Sequence, residues 1–206
     1  MENPLQNDPP ADTGHSHSDG RLTFFREFLR QPRQIGSVIP SSRYLERRII
    51  DAASVPSAKM IVELGSGTGG TTRAILRAMS ADAVLLSVEL NPRFHHMVRQ
   101  IHDDRLIPHL GSAGDLNEIL SLHGLPAPEA IISCIPFSTM KNHQGAKICE
   151  AVTQLLAPGG AFVAFAYQSS PRVAMLCRPF LGKEKITLEL LNIPPARVYR
   201  WKKMVL

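Results

Sequence analysis

Short apolar runs bounded by turn residues recur along the chain, and between them lie stretches with apolar residues three and four apart. The first pattern predicts buried strands and the second amphipathic helices. Strands are expected at Lys59–Leu64, Ala83–Glu89, Leu106–Leu110, Ala130–Cys134 and Ala161–Tyr167. Helices are expected at about Thr71–Met79, Pro92–Ile101, Leu116–Leu122, Gln144–Leu156 and Pro171–Leu181. Pro92 suits a first helical position, and Pro158-Gly159-Gly160 ends the helix before it. Ile186–Leu191 and Ala196–Lys202 read as a closing pair of strands. The alternation predicts an α/β fold: a doubly wound, mostly parallel, Rossmann-like seven-stranded sheet with helices on both faces.

The N-terminal part reads differently. Residues 1–20 hold Pro, Asp, Ser, Asn and Gly with almost no apolar content, which predicts a disordered tail. His15 and His17 stand there without a carboxylate or cysteine cluster, so no metal is expected. In residues 21–31, Leu22, Phe25, Phe28 and Leu29 form one face beside Phe24, opposite Thr23, Arg26, Glu27 and Arg30. This is an N-terminal amphipathic helix, stopped by Pro32. Two placements fit it: flat in an anionic membrane interface, or packed on the domain. A loop at Ile35–Ser42 then leads into a helix capped by Ser41 or Ser42 and ending near Ala53. The expected organisation is a tail at 1–20, N-terminal helices at 21–54 and a catalytic domain at 55–206.

Charge sharpens this picture. The formal charge is +5, but residues 21–48 carry seven Arg against two Glu, and residues 172–206 carry eight basic groups against two acidic ones. Positive charge at both ends of the domain attracts anionic lipid headgroups or nucleic-acid phosphate, or serves only solubility. No apolar stretch is long enough to span a bilayer, and the acidic N-terminus lacks signal-peptide order, so a cytoplasmic location is expected. Three widely spaced cysteines, Cys134, Cys149 and Cys177, predict reduced thiols rather than a disulfide framework.

The candidate chemistry lies after the first strand, in Glu63-Leu64-Gly65-Ser66-Gly67-Thr68-Gly69. Glycines let the backbone turn tightly and approach a ligand at the carboxyl end of a strand, where open α/β sheets bind. The spacing is Gly-x-Gly-x-Gly, not the Gly-x-Gly-x-x-Gly of a pyrophosphate cradle. Glu63 opposes a pyrophosphate but suits a cationic sulfonium–amino acid ligand. Glu89, 20 residues beyond Gly69 at the end of the next strand, suits both ribose hydroxyls. Leu90 follows it. Gly111-Ser112-Ala113, after the third strand, is expected against the adenine.

Over roughly residues 35–170 these motifs resemble class I S-adenosylmethionine-dependent methyltransferases. The Ile35–Ser42 loop, Ser133-Cys134-Ile135-Pro136-Phe137 and Asn192-Ile193-Pro194-Pro195-Ala196-Arg197-Val198 look like the bacterial phospholipid N-methyltransferase family. Cys134 and Ile135 stand where that family usually has Gly and Leu, and Ser66 where Pro is frequent. Ser112 stands where an Asp often holds the adenine, a role Asp115 is placed to take. The resemblance implies S-adenosylmethionine as cofactor and a phospholipid amine as acceptor, with phosphatidylethanolamine methylated toward phosphatidylcholine. It also implies a peripheral location on the cytoplasmic membrane. Methyl transfer to an amine needs mainly positioning and a neutral nucleophile. Ser133 is a candidate to orient the amine. Phe137, Tyr44 and Tyr167 are candidates to face a methylated ammonium. The same motif order is similar to ribosomal-RNA adenine dimethylases, which makes RNA the runner-up substrate. A non-catalytic cofactor-binding protein is the third reading.

Overall fold

A computed structural model describes residues 42–137, 140–166 and 172–204. The tail, the 21–31 helix, most of the Ile35–Ser42 loop and Tyr167 lie outside the described residues.

Seven strands form one sheet: β1 (Met60–Leu64), β2 (Val84–Glu89), β3 (Leu106–Leu110), β4 (Ala130–Ser133), β5 (Ala161–Ala166), β6 (Lys185–Glu189) and β7 (Ala196–Lys202). Their order is β3-β2-β1-β4-β5-β7-β6. β1 to β5 are mutually parallel, and β7 is antiparallel to both β5 and β6. Every residue of β1 is buried, as expected of a central parallel strand covered on both faces. The edge strand β6 is mostly exposed.

Among the described residues six α-helices cover the faces: α1 (Arg43–Ala53), α2 (Gly70–Ala78), α3 (Pro92–Arg99), α4 (Leu116–Leu122), α5 (Asn142–Leu155) and α6 (Arg172–Leu181). Leu45, Ile49, Ile75, Leu76 and Val98 from α1 to α3 pack with Ile61, Leu85, Ile132 and Val163 on one face. Leu116, Ile119, Ile148, Val152 and Val173 from α4 to α6 pack with Val62, Leu86, Ile131, Phe162 and Trp201 on the other. Two cores thus grip the sheet.

Three expectations need correction. The boundary at residue 54 does not separate α1 from the sheet domain, because Leu45, Ile49 and Ala53 are buried in the same core as β1, β4 and β5. Cys149 and Cys177 form a disulfide between α5 and α6. They are 28 residues apart in sequence, yet their helices bring the Cα atoms to 5.3 Å. Sequence spacing is blind to that meeting of helix faces. Finally, β6 stops at Glu189 rather than Leu191. The Glu189 carboxylate accepts the Leu191 N–H and turns the chain out of the sheet.

Ser42 caps α1, its Oγ accepting the Leu45 N–H at 3.3 Å, and Ser54 closes the helix in the left-handed conformation. Ser42→Ala is expected to cost about 1 kcal/mol. Ser42→Asp should restore most of it in a urea titration, since Asp supplies an equivalent acceptor.

Candidate functional site

The carboxyl ends of β1, β2 and β4 lie side by side, with Leu64 paired to both Val88 and Ser133. The chain leaves β1 through the glycine turn, which needs left-handed backbone at Gly65 and Gly67 (φ +79° and +54°). At Gly65 a Cβ would come within 2.9 Å of the Ile135 side chain, so the turn and the loop after β4 pack without space between them. At Gly67 a Cβ would meet nothing within 4 Å. The turn therefore presents bare backbone to open space there.

Glu89 organises this surface. One carboxylate oxygen accepts the Gly67 N–H at 2.8 Å and the other accepts the Asn91 N–H at 2.8 Å. A carboxylate has about four lone-pair directions, so Glu89 keeps acceptor capacity beyond its backbone partners. Burial raises the pKa of Glu89, against the lowering effect of these backbone bonds.

Glu63 sits deeper and is fully buried. Its Oε2 accepts Thr72 Oγ1 at 2.6 Å and Ser87 Oγ at 2.9 Å, while its Oε1 has no partner among the described residues. Burial pushes its pKa up to about 7, helped by the Glu89 charge and opposed by the two hydroxyls. A buried carboxyl with an unused oxygen is costly unless a cation arrives to pair with it. Thr72 and Ser87 were not among the sequence candidates. The only signal for them is the hydroxyl pair Thr71-Thr72 opening a helix and Ser87 two residues before Glu89.

The other candidates fall in varied places. Ser66 is buried and its hydroxyl has no partner among the described residues. Thr68 lends its carbonyl to Arg73, and Gly69 starts α2 from a left-handed position. Leu90 is exposed beside Glu89. The Ser112 hydroxyl accepts the Gly114 N–H, and Ala113 is buried. This segment is tied to the site by the Gly111 N–H, which donates to the Glu89 carbonyl. Asp115 is ion-paired with Lys147 at 2.9 Å on the surface.

Ser133 is fully buried at the end of β4, where its hydroxyl accepts the Ile135 N–H at 3.4 Å. The two described aromatic candidates lie in different surroundings. Phe137 is a core residue, packed with α5 and α6, and offers no open face. Tyr44 is exposed on the first turn of α1, but the Arg43 guanidinium already lies 5.0 Å above its ring and donates to its hydroxyl. The guanidinium thus covers one face of the Tyr44 ring. Helical spacing of aromatics cannot distinguish these outcomes, because it reports which face a ring shares and not what covers it.

With this geometry in hand, comparison with known proteins is informative. No family model matches the chain. An ornithine lipid N-methyltransferase from Singulisphaera acidiphila is 27% identical over 183 residues, spanning 85% of this chain and 92% of that protein. Among solved structures, an O-methyltransferase from Bacillus cereus in complex with S-adenosylhomocysteine superposes with a TM-score of 0.64. The match covers 93% of this chain and 94% of that one at 12% identity. The N-methyltransferase NodS from Bradyrhizobium japonicum, also bound to S-adenosylhomocysteine, gives a TM-score of 0.63 over 88% of this chain and 97% of that one, again at 12% identity.

The chain has the class I methyltransferase fold. Within a methyltransferase fold the site residues fit S-adenosylmethionine. Gly67 leaves room for a ligand against backbone, Glu89 keeps acceptor capacity for a pair of hydroxyls, and Glu63 holds an unpaired oxygen suited to positive charge.

Proposed function

We propose that this protein is an S-adenosylmethionine-dependent N-methyltransferase whose acceptor is the amine of a lipid headgroup. The observation that carries the cofactor half is the pair of buried carboxylates flanking a glycine turn. One is bonded to that turn and the other has an unused oxygen. A nicotinamide dinucleotide would share the ribose contact at Glu89 but bring a pyrophosphate toward Glu63, whereas S-adenosylmethionine brings a sulfonium and an ammonium. When bound, it would supply a methyl group to the amine, the C–S bond breaking as the N–C bond forms and neutral S-adenosylhomocysteine departing as the thioether. The chain's residues then have to hold the cofactor, exclude water and present a neutral amine.

The acceptor half is supported by likeness to a lipid N-methyltransferase along nearly the whole chain. Phosphatidylethanolamine and its partly methylated forms are the acceptors we favour, giving phosphatidylcholine. An ornithine-type amino lipid offers the same primary amine. Membrane association is peripheral on the cytoplasmic face in this reading, and no described helix is long and apolar enough to cross a bilayer. RNA is less favoured: residues 172–204 form α6, β6 and β7, which complete the sheet and its cover.

Incubation with methyl-labelled S-adenosylmethionine tests the proposal against three acceptors: phosphatidylethanolamine vesicles, ornithine-lipid vesicles and ribosomal RNA. Label is expected in the lipid phase, as mono-, di- or trimethylated headgroups resolved by mass spectrometry. Label entering RNA, or none entering any acceptor despite cofactor binding, would overturn the lipid reading.

A further inference from the structure

The end of β6 and the loop that follows it bury two polar residues and expose aliphatic ones. Asn192 is 2% exposed and Glu189 is 4% exposed. Leu190, Leu191 and Ile193, which lie around them, are 70%, 64% and 85% exposed. A loop shaped only for water would put them the other way round.

The polar residues act as anchors. Glu189 accepts the Leu191 N–H and pairs with Arg48 of α1 at 3.1 Å. The Asn192 side chain accepts the Ser42 N–H at 3.0 Å and donates to the Pro194 carbonyl at 2.7 Å. The aliphatic side chains are therefore held out by a braced backbone.

Register fixes which end of the molecule they occupy. Ala166 at the end of β5 pairs with Arg197, and Glu189 pairs with Ala196. The loop thus emerges at the carboxyl end of β5, the end that also carries the glycine turn, Glu89 and Ser133. Beside it, through the Ser42–Asn192 bond, stands the first turn of α1 with exposed Arg43, Tyr44 and Arg47. Aliphatic tips flanked by a tyrosine and arginines match the layering of an anionic membrane surface, with acyl chains inside and phosphates outside.

We propose that Leu190, Leu191 and Ile193 insert into an anionic lipid bilayer while Arg43 and Arg47 meet its phosphates, so that the cofactor end of the sheet faces the membrane. This inference rests on the lipid-acceptor reading and places its docking surface outside the 21–31 segment.

The test uses the full chain with Ile193→Cys carrying an environment-sensitive fluorophore, and Asp104→Cys labelled as a control at the amino end of β3. Unmutated chain treated with the dye corrects for Cys134. Phosphatidylglycerol–phosphatidylethanolamine vesicles are expected to blue-shift the label at 193 and leave that at 104 unchanged. Leu190→Ser/Leu191→Ser/Ile193→Ser should weaken vesicle partitioning at least about tenfold, with S-adenosylmethionine affinity and Tm preserved. A silent label at 193, or unaltered partitioning of the triple variant, would overturn the proposal. So would a dimer seen by sedimentation without lipid and abolished in the triple variant, which would make a second copy the occupant. The fluorescence readout needs no turnover. Insertion without lipid methylation would sink the acceptor reading alone, and lipid methylation with a silent label would sink the loop alone.

Discussion

Glu63→Gln is expected to stabilise the cofactor-free protein at pH 8 while weakening S-adenosylmethionine binding by at least about tenfold. Both effects come from one buried carboxyl. Its folded-state pKa is about 7, against 4.5 for the free side chain. Because the folded value is raised, the favourable contribution is fully present below pH 4.5 and is lost as pH rises through 7. At pH 8 the wild type bears the cost of ionising a buried group, about 3 kcal/mol from that shift. The glutamine amide and the protonated carboxyl place a donor at the same unpartnered position, so that term cancels in the comparison. A gain of several degrees in Tm at pH 8, shrinking toward zero near pH 4.5, is the expected signature.

The same group sets the pH dependence of binding. A cationic ligand favours ionised Glu63, so wild-type affinity should rise with pH through about 7, with proton release measurable by calorimetry in buffers of different ionisation enthalpy. The groups that bear on Glu63 are Thr72, Ser87, Glu89 and Cys134. Burial and the neighbouring carboxylates hold the Cys134 thiol far above its ordinary range, so it does not titrate in this window. The Glu63→Gln profile supplies the ligand's own titration as reference. Equal stability of both proteins at pH 8, or parallel binding profiles, would remove Glu63 from this role.

The sequence and the structure agree where local pattern and tertiary environment ask for the same residue. β3, α4 and β7 begin and end where period and turn residues predict, because edge and core demands coincide there. The glycine turn is legible because left-handed backbone at Gly65 and Gly67 disfavours side chains, and at Gly65 a Cβ would also crowd Ile135. Long-range meetings are not legible. That Glu63 would be held by Thr72 and Ser87 depends on α2 and β2 packing over β1. That Phe137 would be covered depends on α5 and α6, and that Tyr44 would be capped depends on the Arg43 rotamer. The outward Leu190, Leu191 and Ile193 read as strand and loop residues in sequence. Only the buried Asn192 and Glu189 reveal that the loop is inverted.

Glu89→Ala is expected to lower S-adenosylmethionine affinity by about a hundredfold or more. The carboxylate fixes the Gly67 and Asn91 amides, and in the proposed cofactor pose its remaining acceptor capacity would serve the two ribose hydroxyls. Each hydrogen bond to a charged acceptor contributes about 1.5–3 kcal/mol, so two lost together reach two orders of magnitude or beyond. Misplacing the turn would also lower affinity, and a double-mutant cycle separates the two causes. If Glu89 binds ribose, a 2′-deoxy cofactor analogue should bind the wild type about tenfold or more weaker than the parent cofactor. In Glu89→Ala the two ligands should bind alike. If Glu89 only shapes the turn, the deoxy penalty should persist in the variant. Glu89→Gln refines the assignment, because its amide nitrogen cannot accept from whichever backbone N–H it faces. It should therefore lose one backbone bond and one ribose bond, and bind between the wild type and Glu89→Ala. A variant that retains wild-type affinity and the full deoxy penalty would show that the acid closing β2 is structural, and the cofactor would have to be sought elsewhere on the sheet.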